Sequence, residues 1–143
     1  MKWITREKAK VDRIACPWLI RKFVDPAAEF IFLPHDTNWS AISDATVFDV
    51  PNAELGHRGE YCSFDAIIAR YGLEQDPALV ELAKIVRAAD TPKKDWAAEG
   101  AGLEAIADGF RRITTDDFNN MSRQFVVYDA LYAYCQAKTA GGD

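Results

Sequence analysis

Residues 63–92, SFDAIIARYGLEQDPALVELAKIVRAADTP, carry the pattern that decides the fold. Phe64, Ile67, Ile68 and Tyr71 recur at i, i+3, i+4 and i+7, the spacing that lines one face of an α-helix, with Ser63 as N-cap and Gly72 as terminator. Asp76 and Pro77 then supply a cap and a first-turn proline. Leu79, Leu82, Ala83 and Val86 form the buried stripe of a second helix, which Thr91-Pro92 stops near Asp90. Two apolar faces joined by a short connector predict antiparallel packing.

Toward the C-terminus the helical pattern continues. Residues 97–113 read as helix despite Gly100, Gly102 and Gly109, each of which costs about 1 kcal/mol relative to alanine in a helix interior. Thr115 is expected to cap a long final helix carrying Phe118, Met121, Phe125, Tyr128 and Tyr132, an aromatic stripe read as core, and the Gly-Gly-Asp tail is expected to fray. Toward the N-terminus, residues 2–5, 29–33 and 46–50 are short runs rich in apolar or β-branched residues, the last two closed by Pro34 and Pro51, and they read as strands. Between the first two, Val11, Ile14, Ala15 and Trp18 have helical spacing. Pro17 leaves two alternatives, a kinked helix capped by Asp12 or, preferred, a helix beginning near Cys16. Strands separated by a helix pair in parallel through a right-handed crossover. The expected class is α/β and helix-dominated: a small, partly parallel sheet of about three short strands followed by a bundle of four helices, in a single domain spanning residues 1–143.

Composition narrows the function. Hydrophobic residues at 49% and charged residues at 27% are the proportions of a globular chain that folds alone, not of a disordered one. No stretch approaches a bilayer span and residues 1–10 lack the apolar core of a signal peptide, so no membrane association and a cytoplasmic location are expected. Seventeen basic against 22 acidic residues leave a net charge of -5, which disfavours nucleic-acid binding by this chain alone. Cys16, Cys62 and Cys135 are odd in number and too widely spaced for a CxxC motif, so reduced thiols are expected. With only His35 and His57 as imidazoles, any metal site must rely mainly on carboxylates.

Five segments carry a family resemblance: TREKAKVDRIACPWLIRKFVD (5–25), FDVPNAELGHRGEYCSFDAIIARYGL (48–73), IVRAADT (85–91), AAEGAGLEAIADG (97–109) and DDFNNMSRQFVVYDALYAYC (116–135). Through them the chain resembles the chromate-resistance protein family, specifically its C-terminal ChrB-type domain in stand-alone form. The VDRxAxxWLIRxF and HxGxxCSFD blocks are the most specific. The resemblance implies a role in chromate or oxyanion stress, with a small oxyanion such as chromate as ligand and a regulatory or rhodanese-like protein as partner.

The chemistry concentrates in the loop Gly56-His57-Arg58-Gly59-Glu60-Tyr61-Cys62, which runs into the Ser63 helix and so places an oxyanion-binding helix N-terminus nearby. His57, with Asp65 one turn inside that helix and Asp90 at the far end of the next, makes a candidate ligand set for a divalent metal, Mn, Fe or Zn. The competing account is a histidine satisfied by hydrogen bonds in a tight loop, with Asp65 favouring the helix start. Arg13, Arg21 and Arg58 are candidates to hold a tetrahedral anion. Arg13 and Arg21 equally suit surface ion pairs with Asp12, Asp25 or Glu29. Cys16 and Cys62, near helix starts, are expected to have lowered thiol pKa values, which adds Cys62 to the oxyanion set, though a buried structural thiol is the commoner use. No catalytic residue is identified. Two functions stay open, a metal-dependent enzyme acting on an oxyanion and a non-catalytic oxyanion-sensing module.

Overall fold

The computed structural model describes residues 1–141. Three strands, β1 (Lys2–Arg6), β2 (Glu29–Leu33) and β3 (Thr46–Val47), form a sheet in the order β2-β1-β3 with both pairings parallel. The registers run Lys2 against Glu29 to Arg6 against Leu33, and Trp3 against Thr46. Trp3, Ile4 and Thr5 of central β1 are all buried, so both of its faces are covered, as parallel strands require.

Five α-helices surround this sheet: α1 (Asp12–Leu19), α2 (Ser63–Arg70), α3 (Pro77–Asp90), α4 (Gly100–Ile113) and α5 (Asp117–Thr139). The last four make up the expected helical portion. Helix α3 packs against α2, α4 and α5, while α1 packs against α5 and α2. Trp3, Trp18, Phe48, Phe64 and Tyr128 are the large side chains at the centre of the core. None of the described helices is long and apolar enough to cross a membrane.

Local chemistry explains the helix limits. Asp76 accepts from the Ala78 and Leu79 N–H groups at 2.9 and 3.4 Å, and Pro77 occupies the first turn, where its missing N–H costs nothing. Gly72 adopts φ +66° after α2, the left-handed conformation that ends a helix at least cost in glycine.

Five sequence expectations are corrected. Helix α1 starts at Asp12 and carries Pro17 in its interior, then widens into a π-helical segment, Ile20–Val24, closed by the Asp25 N–H on the Ile20 carbonyl at 2.7 Å. The third strand stops at Val47 because Asp49 turns to φ +51°. Helix α2 is capped by Cys62, not Ser63, whose N–H and hydroxyl are committed to Asp12 and Asp49; Asp116 rather than Thr115 caps α5 by accepting the Asn119 N–H at 2.8 Å. In the aromatic stripe, Met121 and Tyr128 are buried, but Phe118 is exposed and meets Phe32 edge-on. Of the Gly141-Gly142-Asp143 tail expected to fray, Gly141 follows α5 in a turn at φ +72°, and Gly142 and Asp143 lie outside the described residues.

Candidate metal centre

The candidate site is assembled at the start of α2 by an aspartate that belongs to another helix. Asp12, the first residue of α1, is fully buried and accepts the Ser63 and Phe64 N–H groups at 2.7 and 3.1 Å, with the Cys16 thiol at 3.3 Å. These two backbone donors are the orphans at the positive end of α2, so the carboxylate satisfies them and gains from the helix dipole. The helix N-terminus expected to dock an oxyanion therefore holds the protein's own Asp12.

Asp49 closes the next side. Its left-handed backbone is one that aspartate tolerates better than most residues, and its N–H donates to the Leu55 carbonyl at 2.9 Å. One carboxylate oxygen accepts the Ser63 hydroxyl at 2.7 Å and the other accepts Arg13 Nε at 3.1 Å. Asp90, the last residue of α3, supplies a third carboxylate at the negative end of its helix, where the dipole disfavours it.

The three carboxylates meet at one atom. His57 Nε2 lies 3.4 Å from Asp12 Oδ2, 3.2 Å from Asp49 Oδ1 and 3.0 Å from Asp90 Oδ2. A single Nε2–H points at one acceptor, so hydrogen bonding alone does not account for three. Donor atoms ~2.1 Å from a shared ion stand ~3.0 Å apart at a right angle and ~3.4 Å apart at the tetrahedral angle. The His57 separations fall in that range, and ligand atoms of Asp12, Asp49 and His57 all lie within 4.8 Å of one another. The donor set, oxygen-rich with one imidazole, fits a hard or borderline divalent ion.

Electrostatics point the same way. The carboxylates of Asp12, Asp49 and Asp90 around its Nε2 push the His57 pKa up to about 12. Burial, followed by the charge of Asp49, pushes Asp12 up to about 7. Both groups therefore hold their protons tightly in the metal-free protein, and a bound cation would have to take the place of those protons.

Of the residues expected from sequence, His57 and Asp90 come together and Asp65 does not join them. Asp65 accepts the Cys62 N–H at 3.0 Å and holds Arg87 through two bonds of 2.8 and 3.2 Å, which is a helix-start and ion-pair geometry. Arg13 stands at the cluster through Asp49. Arg21 is remote from it, donating to the Ala28 carbonyl at 3.0 Å and lying over the Phe30 and Phe125 rings. Arg58, Cys62 and Asp65 line a separate cleft of about 450 Å³ with Arg87. The thiols of Cys16 and Cys62 are shifted upward, by burial first and then by neighbouring carboxylates, against the expected lowering; all three cysteines are free and buried. Sequence reasoning missed Asp12 and Asp49 as site residues. The available signal was an aspartate between two apolar residues in Phe48-Asp49-Val50 and one following an apolar residue in Val11-Asp12-Arg13.

These residues lie within segments shared with known proteins. The sequence profile of the family described as ChrB, C-terminal domain, matches residues 3–135, nearly the whole chain. The chain belongs to the ChrB C-terminal-domain family. Protein ChrB of Cupriavidus metallidurans is 36% identical over 135 residues, covering 92% of this chain and 40% of that protein. The chain thus spans less than half the length of this curated relative. No solved structure matches it.

Proposed function

We propose that this ChrB-type domain binds a divalent metal through Asp12, Asp49 and His57, with Asp90 beside the imidazole, and uses it to hold an oxyanion, chromate being the ligand that the family resemblance implies. One observation carries the reading: Asp12, Asp49 and His57 bring donor atoms within 4.8 Å of one another, and a third carboxylate, Asp90, adjoins the imidazole, more negative charge than His57 and Arg13 neutralise. The bound ion would supply Lewis-acid charge for an oxyanion oxygen. Asp12 is oriented by two backbone N–H groups and Asp49 by Ser63 and Arg13, the outer-shell support that metal ligands need. Arg6 and Arg13 line the opening over Asp49 and His57, a cavity of about 260 Å³, and provide guanidinium donors suited to a tetrahedral anion.

Calorimetric titration with Mn²⁺, Fe²⁺ and Zn²⁺ tests the reading. One ion per chain is expected for at least one metal, with affinity lowered about 10-fold or more in Asp49→Asn and Asp90→Asn. Absence of binding by the wild type in all three titrations refutes it.

The sensing alternative has its own support, since Arg6 and Arg13 flank the opening independently of any metal. It requires chromate to bind metal-free protein as tightly as metal-loaded protein. The metal reading requires the loaded form to bind more tightly.

A further inference from the structure

Beside this opening lies a second cavity, lined by more basic side chains. Arg6, Lys8, Arg13, His35 and Arg111 line a pocket of about 210 Å³ together with Glu7. Arg6 and Arg13 line both cavities, so the two adjoin. The chain carries a net charge of -5, yet it gathers four of its 17 basic side chains here. Among the described residues, the side chains of Arg6, Lys8 and Arg111 form no ion pair, whereas neighbouring Arg112 pairs with Asp108 at 2.7 Å. Arg6 marks the crowding: burial, and after it the positive charges of Arg13 and Arg111, push its pKa down.

The basin is built into the fold. Arg6 ends β1, and Lys8 sits in the following turn at φ +62°, with its N–H and that of Ala9 held by the Asp117 carboxylate at 2.9 and 2.7 Å. Arg111 projects from the last turn of α4. Setting Asp49 against Arg13 and Glu7 against one more cation leaves two positive side chains, with His35 beside them. That charge suits one tetrahedral dianion in addition to the one at the carboxylate cluster.

We propose that this basin is a second anion subsite and that, beyond the single oxyanion of the function proposed above, the two sites together accept a ligand with two linked tetrahedral groups, the diphosphate class, one at the cluster beside Arg13 and the other among Arg6, Lys8 and Arg111. The assignment of the first group rests on the function proposed above. The basin itself does not depend on a metal.

Two calorimetric titrations near physiological salt separate these points. In metal-free protein, inorganic phosphate is expected to bind the wild type and to lose about 10-fold or more in affinity in the double variant Lys8→Ala/Arg111→Ala. Arg112→Ala, which removes one charge outside the basin, should leave it unchanged. In Mn²⁺-loaded protein, or in metal-free protein if Mn²⁺ does not bind, inorganic diphosphate or methyl diphosphate should bind about 10-fold or more tightly than phosphate. The tighter of the two identifies a free or an esterified source, and the advantage should vanish in the double variant. Failure of metal-free protein to bind phosphate, an equal loss in Arg112→Ala, or equal affinity for phosphate and both diphosphates overturns the proposal. Loss of Mn²⁺ binding alone overturns only the metal reading.

Discussion

Three glycines share helix α4, and replacing each with alanine should change stability in opposite directions. A Cβ added at Gly100 would stand 2.6 Å from Ala88 Cβ, 3.0 Å from the Ala88 carbonyl carbon and 3.2 Å from the Ala89 N, whereas Gly102 and Gly109 have nothing within 4 Å. The nearest obstacles at Gly100 include backbone of α3, which yields only by moving a helix that packs against four others. Such overpacking costs about 1–3 kcal/mol. Gly102→Ala and Gly109→Ala remove only backbone freedom and gain about 0.5–1 kcal/mol. At about 3–4 °C per kcal/mol for a chain of this size, Gly100→Ala should lower Tm by roughly 3–12 °C and the other two should raise it by roughly 2–4 °C. Ala88 and Ala89 immediately precede Asp90, whose carboxylate is 3.0 Å from His57 Nε2, so the displaced α3 should also weaken binding at the candidate metal centre. Thermal denaturation followed by circular dichroism reads the stability, and Mn²⁺ titration reads the site. A Tm for Gly100→Ala equal to or above that of Gly102→Ala would refute the argument that close approach of α3 and α4 requires glycine at position 100.

Asp65→Asn removes the charge that holds Arg87 and the Cys62 N–H, so it should cost about 1–3 kcal/mol by chemical denaturation and leave Mn²⁺ affinity within about twofold of wild type. A large loss of metal affinity in a folded Asp65→Asn protein returns this residue to the ligand set. The folded-state pKa values of His57 and Asp12 are raised, so the stabilisation linked to their protons is present below their unfolded values. It falls as pH rises, through about 7 for Asp12 and toward about 12 for His57. Metal must displace the His57 proton, so metal-free Tm should be lower at pH 8 than at pH 6 while the Tm gain on adding Mn²⁺ is larger at pH 8; a gain that shrinks with pH contradicts the assigned ligand. Cys16 and Cys62 should resist a thiol reagent at neutral pH in native protein and react on unfolding, because both are buried and their thiol pKa values are raised. Arg21→Ala should destabilise the fold by about 1–2 kcal/mol through the lost Phe30, Phe125 and Ala28 contacts without changing phosphate affinity; a fall in that affinity would bring Arg21 back to the anion site.

Local patterning was enough to determine most of the architecture from sequence. The stripes of α2 and α3, the Asp76-Pro77 start and the Thr91-Pro92 stop all depend on neighbours within a few residues, where periodicity and backbone chemistry dominate, and the parallel pairing of the strands around α1 follows from the crossover that joins them. Errors arose where a distant group competed for a local one. Ser63 looked like a cap, but Asp12, 51 residues away, claims its N–H. Asp12 looked like a cap or surface partner of its own helix, yet it is buried against the start of another. Asp65 and Asp90 were equally plausible partners for His57 until the pairing of α2 with α3 placed Arg87 beside Asp65 and left Asp90 facing the imidazole. The loop 56–62 announced a site through its concentration of polar groups. Which carboxylates gather there, and that Arg6, Lys8 and Arg111 gather beside it, depends on contacts between segments far apart in the chain, and only the packed tertiary structure decides those.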